Sequence, residues 1–188
     1  MTVQAPSEAN EPDEQELLRF RTSLRHFPSG VAVVTVADGD GVYGMTASSF
    51  TSVSLKPQLC SVSVNKPGRM HRLLAQSDGT FGISVLSADQ GPIADFYARR
   101  PWSPAKLDVP MTRRLGCPVI QGALVWMVCA KWAEYEGGDH TIFVGHVRDH
   151  GAAAIDSAAP LVCHNSTYHQ LGAPIGAADV PRPERTKR

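Results

Sequence analysis

Hydrophobic positions along this chain change their period several times, and each change predicts an element. After Asp13, Leu17, Phe20, Leu24 and Phe27 recur at helical spacing, and Glu16 stands three residues on from that aspartate. The pattern predicts an amphipathic helix capped by Asp13 and stopped by Pro28, because a residue before proline is pushed out of the helical region. Val31 to Ala37 is a β-branched run, Asp38-Gly39-Asp40-Gly41 is a tight turn, and Val42 to Ser49 reads as the returning arm of a hairpin. Past Lys56-Pro57, Gln58 to Asn65 sets Leu59, Ser61 and Ser63 against Cys60, Val62 and Val64, which is the period of a strand. A short helix is expected over Met70 to Gln76 with Leu73 and Leu74 turned inward. Beyond it come a strand from Phe81 to Leu86 and a helix from about Gln90 to Arg99 capped by Asp89.

The second half is punctuated by proline and glycine. Pro101 to Pro110 reads as a long loop, Pro118 to Gly122 leads into a β-rich run from Ala123 to Tyr135, and Gly137-Gly138 turns that run into Thr141 to Val147. An Ala/Asp-rich link over 151–159 precedes two last strands, Pro160 to His164 and Thr167 to Leu171. Residues 1–13 have the composition of a disordered arm and residues 172–188 that of a flexible tail, which leaves one domain over 14–171. Many short antiparallel strands with two or three flanking helices predict a mainly β protein, a closed or nearly closed barrel, since closure removes exposed edges.

Composition narrows the partners. A chain of 188 residues with 43% hydrophobic content suits a single domain with its own core. Formal net charge is zero, which argues against nucleic acid or an anionic membrane as partner. No apolar run approaches the ~20 residues of a membrane span, and Met1 to Asp13 has no signal-peptide core, so a cytoplasmic protein is expected. Cys60, Cys117, Cys129 and Cys163 form no C-x-x-C pair and read as reduced, mostly buried thiols; the seven histidines include no H-E-x-x-H, and no metal site is expected.

Candidate chemistry gathers at two places. Thr46, Ser48, Ser49, Thr51 and Ser52 are too many hydroxyls for a core, and their clustering at a strand end suits a polar ligand; an ordinary solvated turn is the competing reading. Ser63-Val64-Asn65-Lys66-Pro67-Gly68-Arg69 offers backbone N–H groups, two cations and a helix start, the parts of a phosphate site, against the bland reading of a solvated turn. Asp139 and His140 open the strand after Gly137-Gly138. A serine dyad is disfavoured there, because neighbours on a strand point to opposite faces and Asp139 is not expected to orient His140. There is no G-x-S-x-G elbow and no P-loop.

Taken in order, Phe27-Pro28-Ser29-Gly30-Val31, Val33-Val34-Thr35, Gly44-Met45-Thr46-Ala47-Ser48-Ser49-Phe50, Ser52-Val53-Ser54-Leu55 with Pro57, Phe81 to Leu86 with Gln90, and Gly137-Gly138-Asp139-His140 with Phe143-Val144-Gly145 resemble the flavin reductase family. The resemblance covers roughly Leu17 to Leu171. It implies the FMN-binding split-barrel fold, FMN or FAD as flavin, NADH or NADPH as hydride donor, a homodimer, and an oxygenase component that receives reduced flavin. It carries flavin contacts over to Val42, Tyr43, Gly44, Met45, Thr46, Ser48, Ser49, Ser63, Val64, Asn65, Arg69, Met70, Phe96 and Tyr97. It makes His140 a nicotinamide-positioning residue and sets Tyr168 near the same side, with a plain core or interface tyrosine as the alternative. The runner-up function is a split-barrel protein that holds flavin or haem without turnover.

Overall fold

The computed structural model describes residues 12–39, 41–76, 79–101, 103–154 and 158–173. The expected arm over 1–13 falls outside these residues except for its last two positions, and so does the expected tail beyond 173.

Helix α1 spans Glu14–Leu24, and the Asp13 carboxylate accepts from the Glu16 backbone N–H at 2.7 Å. It stops at Leu24, one turn short of Phe27. Two residues, Ser29–Gly30, form β1, and Ala32–Asp38 forms β2. A turn with Gly39 at φ +59° returns the chain as β3, Gly41–Ala47, with Asp38 opposite Gly41. The second half of the hydroxyl cluster becomes a strand in its own right, β4 over Thr51–Leu55, paired with β5 over Gln58–Asn65. Helix α2, Arg69–Gln76, turns Met70 and Leu74 inward and leaves Leu73 half-buried. Strand β6 follows at Thr80–Val85.

Asp89 does not cap the next helix. Ser87 precedes a short 3-10 turn, Ala88–Gln90, its backbone N–H donates to the Gln90 side chain at 3.2 Å, and Asp89 accepts from the Ser87 hydroxyl. Helix α3 then runs over Gly91–Ala98 with Pro92 in its first turn, where proline's fixed φ suits a helix start. The stretch after it holds a hairpin that the pattern of residues left inside a loop and a lead-in: β7, Met111–Arg114, and β8, Cys117–Ile120. Leu115 and Gly116, both at positive φ, make its two-residue turn. The longest strands are β9, Val125–Gly137, and β10, His140–Ala152, so β10 takes in the start of the expected link. Strands β11, Leu161–His164, and β12, Thr167–Gln170, close the set.

Seven strands form one antiparallel sheet in the order β3-β2-β6-β9-β10-β5-β4. The sheet does not close: β3 and β4 are its two edges, although only residues 48–50 separate them in the chain. A single side chain spans part of this gap. The Ser49 hydroxyl donates to the Ser63 carbonyl on β5 at 3.0 Å and accepts from the Ser63 N–H at 3.1 Å. The architecture is therefore a barrel with a slit, mainly β and antiparallel as expected, rather than a fully closed one.

Inside the curl, Val34, Val36, Val62, Val64, Phe81, Ile83, Cys129 and Phe143 pack together, and Met70 and Leu74 of α2 join them. Outside, Val31, Val33, Leu86, Ala94, Ile120 and Leu161 form a second core that seats α3, β8 and β11 against the sheet. Strands β2 and β6 are thus covered on both faces, which explains why β2 reads as a β-branched run without polar alternation. Helix α1 is different, because none of its residues is buried and its stripe of Leu17, Phe20 and Leu24 lies open.

Candidate functional site

The site is built where β3 meets the far end of α3. The Thr46 hydroxyl donates to the Ala94 carbonyl at 2.7 Å and ties the strand to the helix. Gly44 allows the closest approach: a Cβ there would overlap the ring of Tyr97, so the ring lies directly against the strand backbone. Phe96 meets that ring edge to face, with centroids 5.0 Å apart. Together Val42, Tyr43, Gly44, Phe96, Tyr97 and Arg99 line most of a cleft of about 430 Å³, completed by Arg100 and by Ser103, Pro104 and Ala105 of the following loop. Burial pushes the Tyr97 phenol above its ordinary pKa, so it stays a neutral donor through the physiological range.

Arg100 links this cleft to three neighbours. It lines a 160 Å³ cleft with Thr46, Ser48 and Tyr168, a 200 Å³ cleft with Ser48 and Cys163, and a 380 Å³ cleft with Asp95 and Tyr168. Burial raises the Tyr168 phenol, Asp95 raises it further, and Arg100, which hydrogen-bonds it, pulls the other way.

The hydroxyls of the cluster have separate duties. Thr46 is engaged by α3 and Ser49 by Ser63, while the Ser48 hydroxyl, exposed at the clefts, has no hydrogen-bond partner among the described residues. Of the turn after β5, Val64 and Met70 are 1% exposed and point into the barrel, so they offer a ligand only backbone groups. Asn65 is exposed. Lys66 pairs with Glu136, and Arg69 pairs with Asp38 while its guanidinium lies 5.0 Å from the Tyr43 ring centroid. That stacking joins the turn to the first cleft, since Tyr43 lines it.

His140 stands opposite Asn65 in the β5–β10 pairing, at the start of β10. Its Nδ1 lies 2.7 Å from an Asp139 carboxylate oxygen. The sequence argument that Asp139 cannot orient His140 fails here, because Asp139 belongs to the two-residue turn between β9 and β10, where strand alternation does not apply. The hydrogen bond from His140 holds the Asp139 carboxyl below the ordinary carboxylate range. No serine bonds His140 among the described residues, so the pair has no nucleophile to serve. Tyr168 lies apart from it, sharing its clefts with Thr46, Ser48 and Arg100.

Arg99, Arg100 and the 103–105 segment were not singled out from the sequence. The available signal was the pair of arginines at the expected end of α3, just before Pro101.

The flavin reductase like domain family matches residues 24–172. An NADH-dependent flavin reductase of Rhodococcus sp is 39% identical over 157 residues, covering 82% of this chain and 86% of that one. An NADH-dependent FAD reductase of Streptomyces globisporus is 40% identical over 150 residues, covering 77% of this chain and 80% of its own length. The styrene monooxygenase flavin reductase of Pseudomonas putida S12 superposes with a TM-score of 0.74 at 34% identity, covering 83% of this chain and 99% of that one.

Proposed function

The chain belongs to the flavin reductase like domain family, and from that premise we propose that it is an NADH-dependent flavin reductase, which passes a hydride to FMN or FAD and releases reduced flavin to an oxygenase component. The observation that carries the reading is the cleft between β3 and α3, where the Tyr97 ring lies directly on the strand backbone at Gly44 and joins Tyr43 and Phe96 in an aromatic wall. Aromatic surface, an unpaired hydroxyl and cations at its rim are what a flavin nucleotide requires of a binding site. The donor set fits: the Ser48 hydroxyl has no partner among the described residues, and Arg69 is half exposed, so its guanidinium can share its donors between Asp38 and a phosphate.

When bound, the flavin supplies the hydride acceptor. The protein's own part is to hold and orient. We assign Val42 to Thr46, Ser48, Ser49 and the Phe96-Tyr97 pair to the ring side, and Ser63 to Asn65, Arg69 and the Met70 backbone to the phosphate side. His140, fixed by Asp139, positions the nicotinamide, and Tyr168 stands on the Arg100 side of the site. No acid or base is needed, since hydride transfer depends on proximity and exclusion of water. The non-catalytic alternative is disfavoured by the relatives, which are named as reductases.

A second copy of the chain is the proposed partner of α1, whose apolar stripe is uncovered. No helix among the described residues is long and apolar enough to cross a membrane, and a cytoplasmic location is proposed from composition.

Nicotinamide absorbance tests the activity: NADH should be consumed only when FMN or FAD is added. Arg69→Ala should weaken flavin binding about ten- to hundred-fold, as a charge-assisted hydrogen bond of about 1.5–3 kcal/mol implies, while turnover at saturating flavin survives. His140→Ala should keep flavin affinity and raise the KM for NADH or slow reduction in stopped flow. Equal loss of flavin affinity in both variants would end this division of roles.

A further inference from the structure

Two turns assigned to different ligands are laced together. The turn on the phosphate side leads into α2, whose first residue is Arg69, and the β9–β10 turn carries Asp139 up to His140. The Lys66 backbone N–H donates to the Asp139 carbonyl at 3.0 Å, and the Lys66 ammonium pairs with Glu136. Asn65 stands opposite His140 across β5 and β10. One residue beyond His140, the Thr141 hydroxyl oxygen lies 2.9 Å from Nε2 of His71, itself two residues beyond Arg69.

Thr141 shares the interior face of the barrel with Val64 and Phe143 and is 5% exposed. A buried hydroxyl is costly unless it is hydrogen-bonded, and His71 is the one side chain that bonds it among the described residues. The His71 ring also meets Phe143 edge to face, with centroids 5.6 Å apart, so its orientation is fixed twice. At the other end of α2, the Lys131 ammonium of β9 donates to the Leu74 and Ala75 carbonyls at 3.1 and 3.0 Å. With that end held and Met70 and Leu74 in the core, the His71–Thr141 bond fixes where the start of α2, and Arg69 with it, stands relative to His140.

We infer that His71 and Thr141 are positioning residues that couple the two sides of the site, so that a phosphate held at Arg69 tightens the hold of His140 on the nicotinamide. The inference rests on the reductase reading and deepens it. From Arg69 to His140 the path is the Arg69-Met70-His71 backbone, one hydrogen bond and the Thr141-His140 peptide, a contiguous network of the kind that carries coupling between sites. Such coupling is reciprocal, so bound nicotinamide also favours the phosphate.

The test compares FMN with riboflavin, which has the same ring and no phosphate, as saturating acceptor, and reads the KM for NADH. In the wild type that KM should be lower with FMN by about five-fold or more. Thr141→Val keeps the side-chain shape and removes the hydroxyl; it should bring the two KM values together while FMN still binds in fluorescence titration. His71→Gln carries an amide that can donate or accept near the place of Nε2, and it should keep the difference. Equal KM values in the wild type, or a difference that survives in Thr141→Val, overturns the inference. Equal KM values in both variants with a melting temperature lowered in both overturn it as well, because the bond then serves stability alone. A wild-type protein that oxidises NADH with equal KM values loses the coupling and keeps the reductase reading, whereas one that oxidises no NADH with either acceptor sinks that reading itself.

Discussion

Among single residues, the hydroxyl cluster is where identity and role part company. Thr46, Ser48 and Ser49 look alike in the sequence, yet hydrogen bonding assigns the first to α3, the last to β5, and leaves only Ser48 free among the described residues. Ser49→Ala should therefore destabilise the fold by about 1–3 kcal/mol, because both backbone groups of Ser63 lose their partner in a half-buried place. Ser48→Ala should leave the urea midpoint unchanged and weaken flavin binding. Urea unfolding and fluorescence titration on the two variants separate the roles; a flavin-specific defect in Ser49→Ala with unaltered stability would reverse them. Gly44 belongs to the same scale. Gly44→Ala puts a methyl where the Tyr97 ring lies, so the ring must move, and because Tyr97 also packs against the second core both flavin affinity and the melting temperature should fall. Sequence spacing showed these positions to be special and could not divide them, since which hydroxyl is engaged depends on Ala94 and Ser63, 48 and 14 residues away.

At the level of elements, period and turn residues located the β2–β3 hairpin, β5, α2 and β6 within a residue or two and the start of α1, whose end falls a turn earlier than expected. It failed where turn chemistry outweighed period. Leu115-Gly116 makes a two-residue turn with a non-glycine at positive φ, a signal too weak to mark the β7–β8 hairpin inside a proline-rich stretch. Helix α1 shows the opposite case, a strong pattern that no described residue covers. Eleven residues are marginal as an isolated helix, so a stripe with Leu17 47%, Phe20 60% and Leu24 55% exposed needs a cover. We expect Leu17→Gln/Phe20→Gln to shift the protein from dimer to monomer in analytical ultracentrifugation and to lower its melting temperature in a concentration-dependent way. A wild-type monomer, or an unaltered dimer in the variant, would remove α1 from the interface.

On the scale of the molecule, the split barrel keeps Cys117, Tyr97 and Tyr168 within or against its apolar clusters and leaves charge pairs on the rim. Burial raises the Cys117 thiol to about 11, against the weaker opposing pull of Arg113, and raises the phenols of Tyr97 and Tyr168. Asp139, on the surface, moves the other way through His140. None of these directions was legible in the sequence, because each depends on which face of a strand or helix the fold covers. Their signs fix the response to pH. A group whose folded pKa is raised contributes stability that is complete below its ordinary value and lost as pH climbs through the folded value. For Cys117 that window runs from the ordinary 9.0 to about 11, and the two tyrosines extend the loss above their own ordinary 10.0. The melting temperature should accordingly hold between pH 7 and 9 and then fall toward pH 11. Cys117→Ala should flatten the first part of that fall and leave the tyrosine part in place. A melting temperature that is level to pH 11 in the wild type, or a fall that Cys117→Ala leaves unaltered, would show that the Cys117 environment is wetter than the cluster of Val119, Trp126 and Val128 around it implies.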